Sequence, residues 1–286
     1  MKVINKTNSL TDRPLFICDF SPPRGADISV FEQARNLSAD FICIAYNPGH
    51  SVRVDSTVMA YMIKNRTGKE VIFNLATRDM NKLALQTHLL GAQLLGLENV
   101  VILRGDEFNV QDQSKLKMVH DFTPTDLIHA INSMNQGLDF RKRKLNMPTD
   151  FCIGATIDLT NNIHSEAHLT QNKLMSGTHF FITQPIYNVS EITAYHKAYQ
   201  EVSGSDLDCP VFYGLQILQK NSSAFGNIPN SILNDLNAGR SGSEIAIELL
   251  HQFISEGIKG IYLVPPILKG GVRDYEAAQR VLSEFE

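Results

Sequence analysis

Short apolar runs alternate with longer helical patterns along this chain, and the runs cover residues 15–19, 41–45, 71–74, 100–103, 151–156, 180–183, 211–215 and 260–264. Each is rich in β-branched or aromatic residues and bounded by polar or turn residues, which predicts a buried strand. Helical spacing fills the intervals at 28–37, 56–65, 81–95, 124–134, 164–176 and 189–202, in a less regular stretch after Ser222, and at 242–256. The clearest is 81–95, where Leu83, Leu85, Leu89, Leu90, Leu94 and Leu95 make a broad apolar stripe and Gly96 supplies a stop. Apolar strands alternating with helices predict a parallel sheet covered on its outer face. Eight such units predict one closed α/β domain, a (β/α)8 TIM barrel over residues 1–286, with its site at the carboxyl ends of the strands.

Composition agrees with that architecture and removes several functions. Barrels of about 250 residues commonly form one domain, and the 286 residues here are 43% apolar and 20% charged, enough for a large core and too little charge for disorder. The net charge of −4 gives no chain-wide basic field for a nucleic-acid backbone. Arg141-Lys142-Arg143-Lys144, the basic run, reads as a solvated loop before a strand. Cys18, Cys43, Cys152 and Cys209 are far apart, so neither a zinc site nor a disulfide framework is expected, and a reducing compartment is. The polar amino terminus carries no secretory signal pattern, and no window approaches the roughly 18 apolar residues of a membrane span. A cytoplasmic protein with no membrane partner is the expectation, and a homo-oligomer stays open because barrels often associate.

The predicted strand ends carry polar residues: Asp19 and Ser21, Tyr46 and Asn47, Asn74 and Thr77, Arg104 and Asp106, Asp158, Gln184, Gln216, and Tyr262 within the last strand. Taken singly each has a structural reading. Asp19 can cap a turn, Asn74 can satisfy backbone groups, Gln184 can bond a neighbouring strand, and Arg104-Gly105-Asp106 can be a salt-bridged turn. Convergence gives them weight, because a barrel gathers all of them around one mouth sized for a cofactor and a substrate.

Four of these segments carry a family likeness. Asp19-Phe-Ser-Pro-Pro-Arg24 at the first strand end, Asn74-Leu-Ala-Thr-Arg-Asp-Met-Asn81 at the third, Leu103-Arg-Gly-Asp106 at the fourth and Phe181-Ile-Thr-Gln-Pro-Ile-Tyr187 at the sixth resemble the methylenetetrahydrofolate reductase family. Gln86-Thr-His-Leu-Leu-Gly-Ala92 and Gly260-Ile-Tyr-Leu-Val-Pro-Pro266 extend the likeness through the third helix and the eighth strand.

The resemblance implies a flavin enzyme: NADH or NADPH passes a hydride to FAD, and FAD reduces the one-carbon unit of 5,10-methylenetetrahydrofolate to a methyl group, or the reverse. Opening the five-membered ring puts a proton on the departing nitrogen, so an acid must face the folate. The family has a glutamate where this chain has Asp19, shorter by one methylene, and a displacement of about 1 Å can cost about 100-fold in rate. Three readings of Asp19 stay open: a shifted backbone restores the reach, a water relays the proton, or the chemistry is altered. By the same resemblance Asp106 lies beside flavin and pterin, and Gln184 bonds the pterin edge with an amide that donates and accepts at once. Asp19, Asp106 and Gln184 are thus the expected catalytic set.

For FAD the resemblance points to Tyr46, Asn74 in place of the family's histidine, Arg104, Gly105, Asp106, His164 and Lys173. Asn172 stands where the family has an arginine, which weakens the expected grip on the FAD tail. For folate it points to Asp106, Gln184, Gln216 and Tyr262. No Gly-x-Gly-x-x-Gly segment or P-loop is present, so a nicotinamide would visit the same mouth in turn with folate, by ping-pong kinetics. Two other readings share the barrel: a flavin-free reductase, and a folate-binding relative without turnover.

Overall fold

A computed structural model describes residues 1–9 and 13–285. Leu10, Thr11 and Asp12 of the polar amino-terminal stretch, and Glu286, lie outside the described residues. Eight parallel strands close in sequence order into a barrel: β1 (Leu15–Phe20), β2 (Phe41–Ile44), β3 (Val71–Ala76), β4 (Asn99–Leu103), β5 (Cys152–Ile157), β6 (Phe180–Pro185), β7 (Val211–Gln216) and β8 (Gly260–Val264). The helices are α1 (Val3–Thr7), α2 (Val30–Asn36), α3 (Ser56–Thr67), α4 (Lys82–Leu94), α5 (Val110–Gln113), α6 (Pro124–Asn135), α7 (Ile163–Met175), α8 (Val189–Ser203), α9 (Asn230–Asn237), α10 (Gly242–Ser255) and α11 (Tyr275–Ser283). β1 pairs with β8 from Leu15 opposite Gly260 to Cys18 opposite Leu263, which completes the ring. The predicted (β/α)8 TIM barrel is therefore the observed fold.

Side-chain alternation sets what lies inside. Phe16, Cys18 and Phe20 pack outward against the helices, whereas Leu15 and Ile17 point to the axis. Ile72 of β3, Val101 of β4, Phe180 and Ile182 of β6, and Phe212 of β7 fill that interior with them. A period of two continues the inward row to Asp19, Asn74, Gln184 and Gln216 at the strand ends. Apolar strands thus deliver these polar residues to the carboxyl end of the barrel.

The opposite end is closed by α1, whose Val3 is fully buried against the interior cluster. Asn99 pins this plug: its Oδ1 accepts the Val3 amide at 2.9 Å, and its Nδ2 donates to Met1 O at 2.9 Å and Val71 O at 3.1 Å. Neither α1 nor α11 was expected from the pattern, since both are short, although Asp274 caps α11 and its Ala277, Ala278, Val281 and Leu282 have helical spacing. The α4 stripe is also narrower than predicted. Leu85 and Leu89 are buried, while Leu83, Leu90 and Leu94 are exposed, because a helix lying on a barrel covers it with one face.

Asn99→Ala removes three hydrogen bonds at a buried position, and is expected to cost about 2–4 kcal/mol, from roughly 1 kcal/mol per bond plus the partners left unpaired. Chemical denaturation checks this, and an unchanged midpoint would contradict the plug. A pH effect is expected at His179, whose Nδ1 accepts the Ile153 amide at 2.9 Å. Burial first, then Lys2 beside it, lowers its pKa from 6.5, so the unfolded chain binds a proton that the folded chain refuses. Stability should fall as the pH drops below 6.5, and His179→Gln should make the melting temperature fall less steeply there. An identical slope in the variant would assign the pH dependence elsewhere.

Candidate functional site

Two cavities open side by side at the carboxyl ends of the strands. The first, about 510 Å³, lies among the segments that follow β3, β4 and β5 and the adjacent face of α7, with Thr77, Arg104, Gly105, Thr156, Asp158 and Lys173 on its walls. The second, about 820 Å³, lies among the segments that follow β1, β2, β4, β7 and β8, and includes Arg24, Arg53, Asp106, Phe225, Lys269 and Arg273. The segment after β4 divides them, with Arg104 and Gly105 facing one and Asp106 the other. Gln184 is exposed at the end of β6, the strand between those that serve the two cavities.

Arg78 holds the dividing segment in place. Its Nε and Nη2 donate to Asp79 Oδ1 and Oδ2 at 2.6 and 2.8 Å, and its Nη1 donates to Asp106 O at 2.6 Å. The guanidinium also stacks 4.3 Å from the Phe108 ring, which meets His50 edge-on. Gly105 has φ +83°, and a Cβ there would meet Arg78 Cβ at 3.2 Å and Ala76 Cβ at 3.3 Å, so the turn over Arg78 requires glycine. Tyr46 lies near Asp79 from the side of β2, and burial followed by that carboxylate raises the pKa of its phenol.

Asp19 is buried beneath the second cavity. Its Oδ2 accepts from Arg273 Nε at 3.0 Å and its Oδ1 from the Tyr262 hydroxyl at 3.1 Å. The Arg273 and Asp19 side chains are 6% and 7% exposed, so the pair is desolvated, and it is Arg273 that lines the cavity. Asn74 lies in the same interior layer, its Oδ1 accepting from the Cys43 thiol at 3.3 Å. Neither Asn74 nor Tyr262 lines either cavity, a departure from the expectation that they touch cofactor and substrate.

Gln216 also departs from its expected contact with folate. Its Oε1 accepts from Tyr187 at 3.1 Å and from the Phe225 amide at 2.9 Å, and its Nε2 donates to Ser223 O at 2.9 Å. The amide is buried, and it fixes the segment after β7. His164 lies on the exposed side of α7, Nδ1 4.0 Å from Glu201 of α8, away from both cavities, because the helical period puts it roughly opposite the face that Glu166 and Lys173 present. Lys173 does reach the first cavity. Its Nζ donates to Thr156 O at 2.5 Å and lies 3.6 Å from Glu166, and burial, opposed by Glu166, lowers its pKa.

Asp106, Arg104, Gly105 and Lys173 therefore line the cavities, Gln184 stands between them, and Asp19 lies under Arg273. Arg78 and Arg273 were not singled out from the sequence. Arg78 had a signal, an arginine two residues beyond a strand and next to an aspartate; Arg273 sits in a segment with no periodicity.

Removing the Asp19 charge leaves the Arg273 guanidinium buried without a counter-ion, so Asp19→Asn is expected to cost about 3–5 kcal/mol. The double variant Asp19→Leu/Arg273→Met should recover most of it. Unfolding midpoints of the three proteins test the pair, and a single variant as stable as the parent would show that the pair contributes nothing.

Solved structures that share the barrel include the following two. An uncharacterized protein from Clostridium thermocellum, described as binding two copies of 5-methyl-5,6,7,8-tetrahydrofolic acid, aligns with a TM-score of 0.65 at 14% identity, over 96% of this chain and 95% of its own. A long-chain alkane monooxygenase, LadA, aligns with a TM-score of 0.55 at 11% identity, over 96% of this chain and 91% of its own. At such identities the likeness is one of fold. Among the described residues no helix is long and apolar enough to cross a membrane. The profile of methylenetetrahydrofolate reductase matches residues 4–265, from α1 to the end of β8, and the chain therefore belongs to the methylenetetrahydrofolate reductase family.

Proposed function

We propose that this protein interconverts 5,10-methylenetetrahydrofolate and 5-methyltetrahydrofolate in the cytoplasm, with FAD in the first cavity, folate in the second, and a nicotinamide or another carrier exchanging electrons at the same mouth. The observation that carries the reading is the division of the mouth at Arg104–Asp106. One short segment presents a cation and close-packed backbone to one cavity and a carboxylate to its neighbour, as two adjoining planar ligands require. The C. thermocellum protein, described as holding two pterin ligands, supports room for two rings on this fold.

The residues of the first cavity fit a flavin's phosphate-bearing half. Arg104 is 70% exposed, and its contact with the equally exposed Glu107 is 3.6 Å, so its guanidinium is available to an oxyanion. Lys173 has three donors; Thr156 O and Glu166 take two directions, which leaves one for the cavity it lines. When bound, a flavin supplies the acceptor and donor of the hydride. Asp106 faces the folate from the dividing segment, and the Gln184 amide, exposed at the end of β6, offers a donor and an acceptor to the pterin edge. Asp19 acts through Arg273 as a positioning residue, because both of its oxygens are engaged. The proton on the departing nitrogen then arrives by water in the cavity above Arg273.

The same engagement of Asp19 favours a second reading, a folate-binding protein without turnover. An anaerobic absorption spectrum separates the two: after reconstitution with FAD, 5-methyltetrahydrofolate should bleach the flavin band. Binding without bleaching would establish the second reading. Gln184→Ala should weaken 5-methyltetrahydrofolate about tenfold, the loss of roughly one well-formed hydrogen bond, with FAD affinity within about twofold. Equal losses for both ligands would displace Gln184 from the pterin.

A further inference from the structure

Around the barrel, the pairing of β6 with β7 is where the register of the strands breaks. Ile182 stands opposite Phe212 and Pro185 opposite Gly214, so three steps along β6 match two along β7. This is a β-bulge, in which Thr183 and Gln184 together face Tyr213. Pro185 explains why it falls here: proline has no N–H for a ladder and is confined within sheets to irregular or edge positions. The extra residue also changes which face the chain presents. Phe181 packs in the outer core, and so does Ile186, five residues on, where an unbroken period of two would turn it to the axis. Gln184 is the exposed residue of β6, and the chain beyond it returns at once to the core.

The buried Thr183 hydroxyl holds the bulge together. Its Oγ1 accepts from the Gly214 amide at 2.8 Å and donates to Gln184 O at 2.8 Å. A side-chain oxygen thus replaces the ladder carbonyl that the extra residue displaces, and the Gln184 carbonyl is tied to the residue before it. Regular pairing resumes directly, with the Ile186 amide donating to Gly214 O at 2.9 Å. Gly214 is pressed against the bulge: a Cβ there would lie 2.6 Å from Gln184 O and 2.7 Å from Pro185 N, both backbone atoms, so glycine is required. Among the described residues the Gln184 side-chain amide has no hydrogen-bond partner, and the backbone alone sets the direction in which it leaves the strand.

We infer that Thr183 is a positioning residue, whose hydroxyl holds the bulge that aims the Gln184 amide at the substrate. The inference rests on the folate reading above, in which that amide meets the pterin edge. An amide that donates and accepts along one edge needs a fixed origin and direction, and a displacement of about 1 Å can cost about 100-fold in rate. Valine has the shape of threonine without the acceptor. In its place the Gly214 N–H regains a strand partner only from a β6 carbonyl, which requires the extra residue to be drawn in and the Gln184 side chain to turn. Serine keeps the hydroxyl and with it the bulge.

The test is a double-mutant cycle on 5-methyltetrahydrofolate binding, read by titration calorimetry on the parent, Thr183→Val, Gln184→Ala and the double variant, with Thr183→Ser as the conservative control. Thr183→Val should weaken 5-methyltetrahydrofolate by about three- to tenfold, up to the loss expected of Gln184→Ala, with FAD affinity within about twofold. The double variant should bind within about twofold of Gln184→Ala alone, because a residue that acts through Gln184 then has nothing left to position. Thr183→Ser should match the parent within about twofold. Losses that multiply in the double variant overturn the inference and leave the folate reading standing, since a merely structural threonine weakens folate whether or not Gln184 is present. Parental affinity in Thr183→Val overturns it as well, and so does a serine variant as weak as the valine one. Melting curves check that each variant is folded. If Thr183→Val does not fold, Thr183→Ala enters the cycle under the same criterion, because its smaller side chain admits a water at the Gly214 amide and still unties Gln184 O. Failure of the parent to bind 5-methyltetrahydrofolate removes the folate reading itself, and the inference with it.

Discussion

The ion pair between Asp19 and Arg273 joins the first strand to the segment that follows the last. Asp19 points to the barrel axis because Leu15 and Ile17 do, and a carboxylate delivered there needs a positive or hydrogen-bonding partner. Arg273 and Tyr262 supply both, from beyond and within β8. The floor of the second cavity therefore rests on this contact, at the seam where β1 and β8 pair. Asp274, next in sequence, accepts from Gln219 Nε2 at 2.6 Å and caps α11, so the segment after β7 is tied to the same anchor.

A contrast in charge follows from this arrangement. The Arg78–Asp79 and Lys173–Glu166 pairs make the first cavity internally balanced, with Arg104 as its accessible cation. The second keeps an excess of cations at its wall. Ligands of different charge are suited to the two sides of the dividing segment, whose position is fixed by the hydrogen bond from Arg78 Nη1 to Asp106 O and by the turn at Gly105.

Most of the barrel was legible because buried strands and amphipathic helices leave periodic traces. The eight predicted runs are the eight strands, and Asp106, Arg104, Gly105 and Lys173 do line cavities. What the pattern could not give was direction beyond the strand. Strand period alone carries Gln216 to the mouth, yet Tyr187, Ser223 and Phe225 claim its amide, and those partners come from separate segments. His164 and Lys173 share one helix, and only the packing of α7 on the barrel decides which of them faces inward. Arg273 left no trace because its partner is 254 residues away and its own segment is irregular. Likeness to a family marked Asp19 as an acid; the structure shows an acid held by a guanidinium.

The charge and shape of the mouth place ligand binding at the carboxyl ends of the strands, over Arg273 and beside Asp106. Hydrogen–deuterium exchange with and without saturating 5-methyltetrahydrofolate tests it most directly. Exchange should slow in the segments after β1, β2, β4, β7 and β8, with the plug around Val3 and Asn99 unchanged. Protection confined to the plug would contradict it.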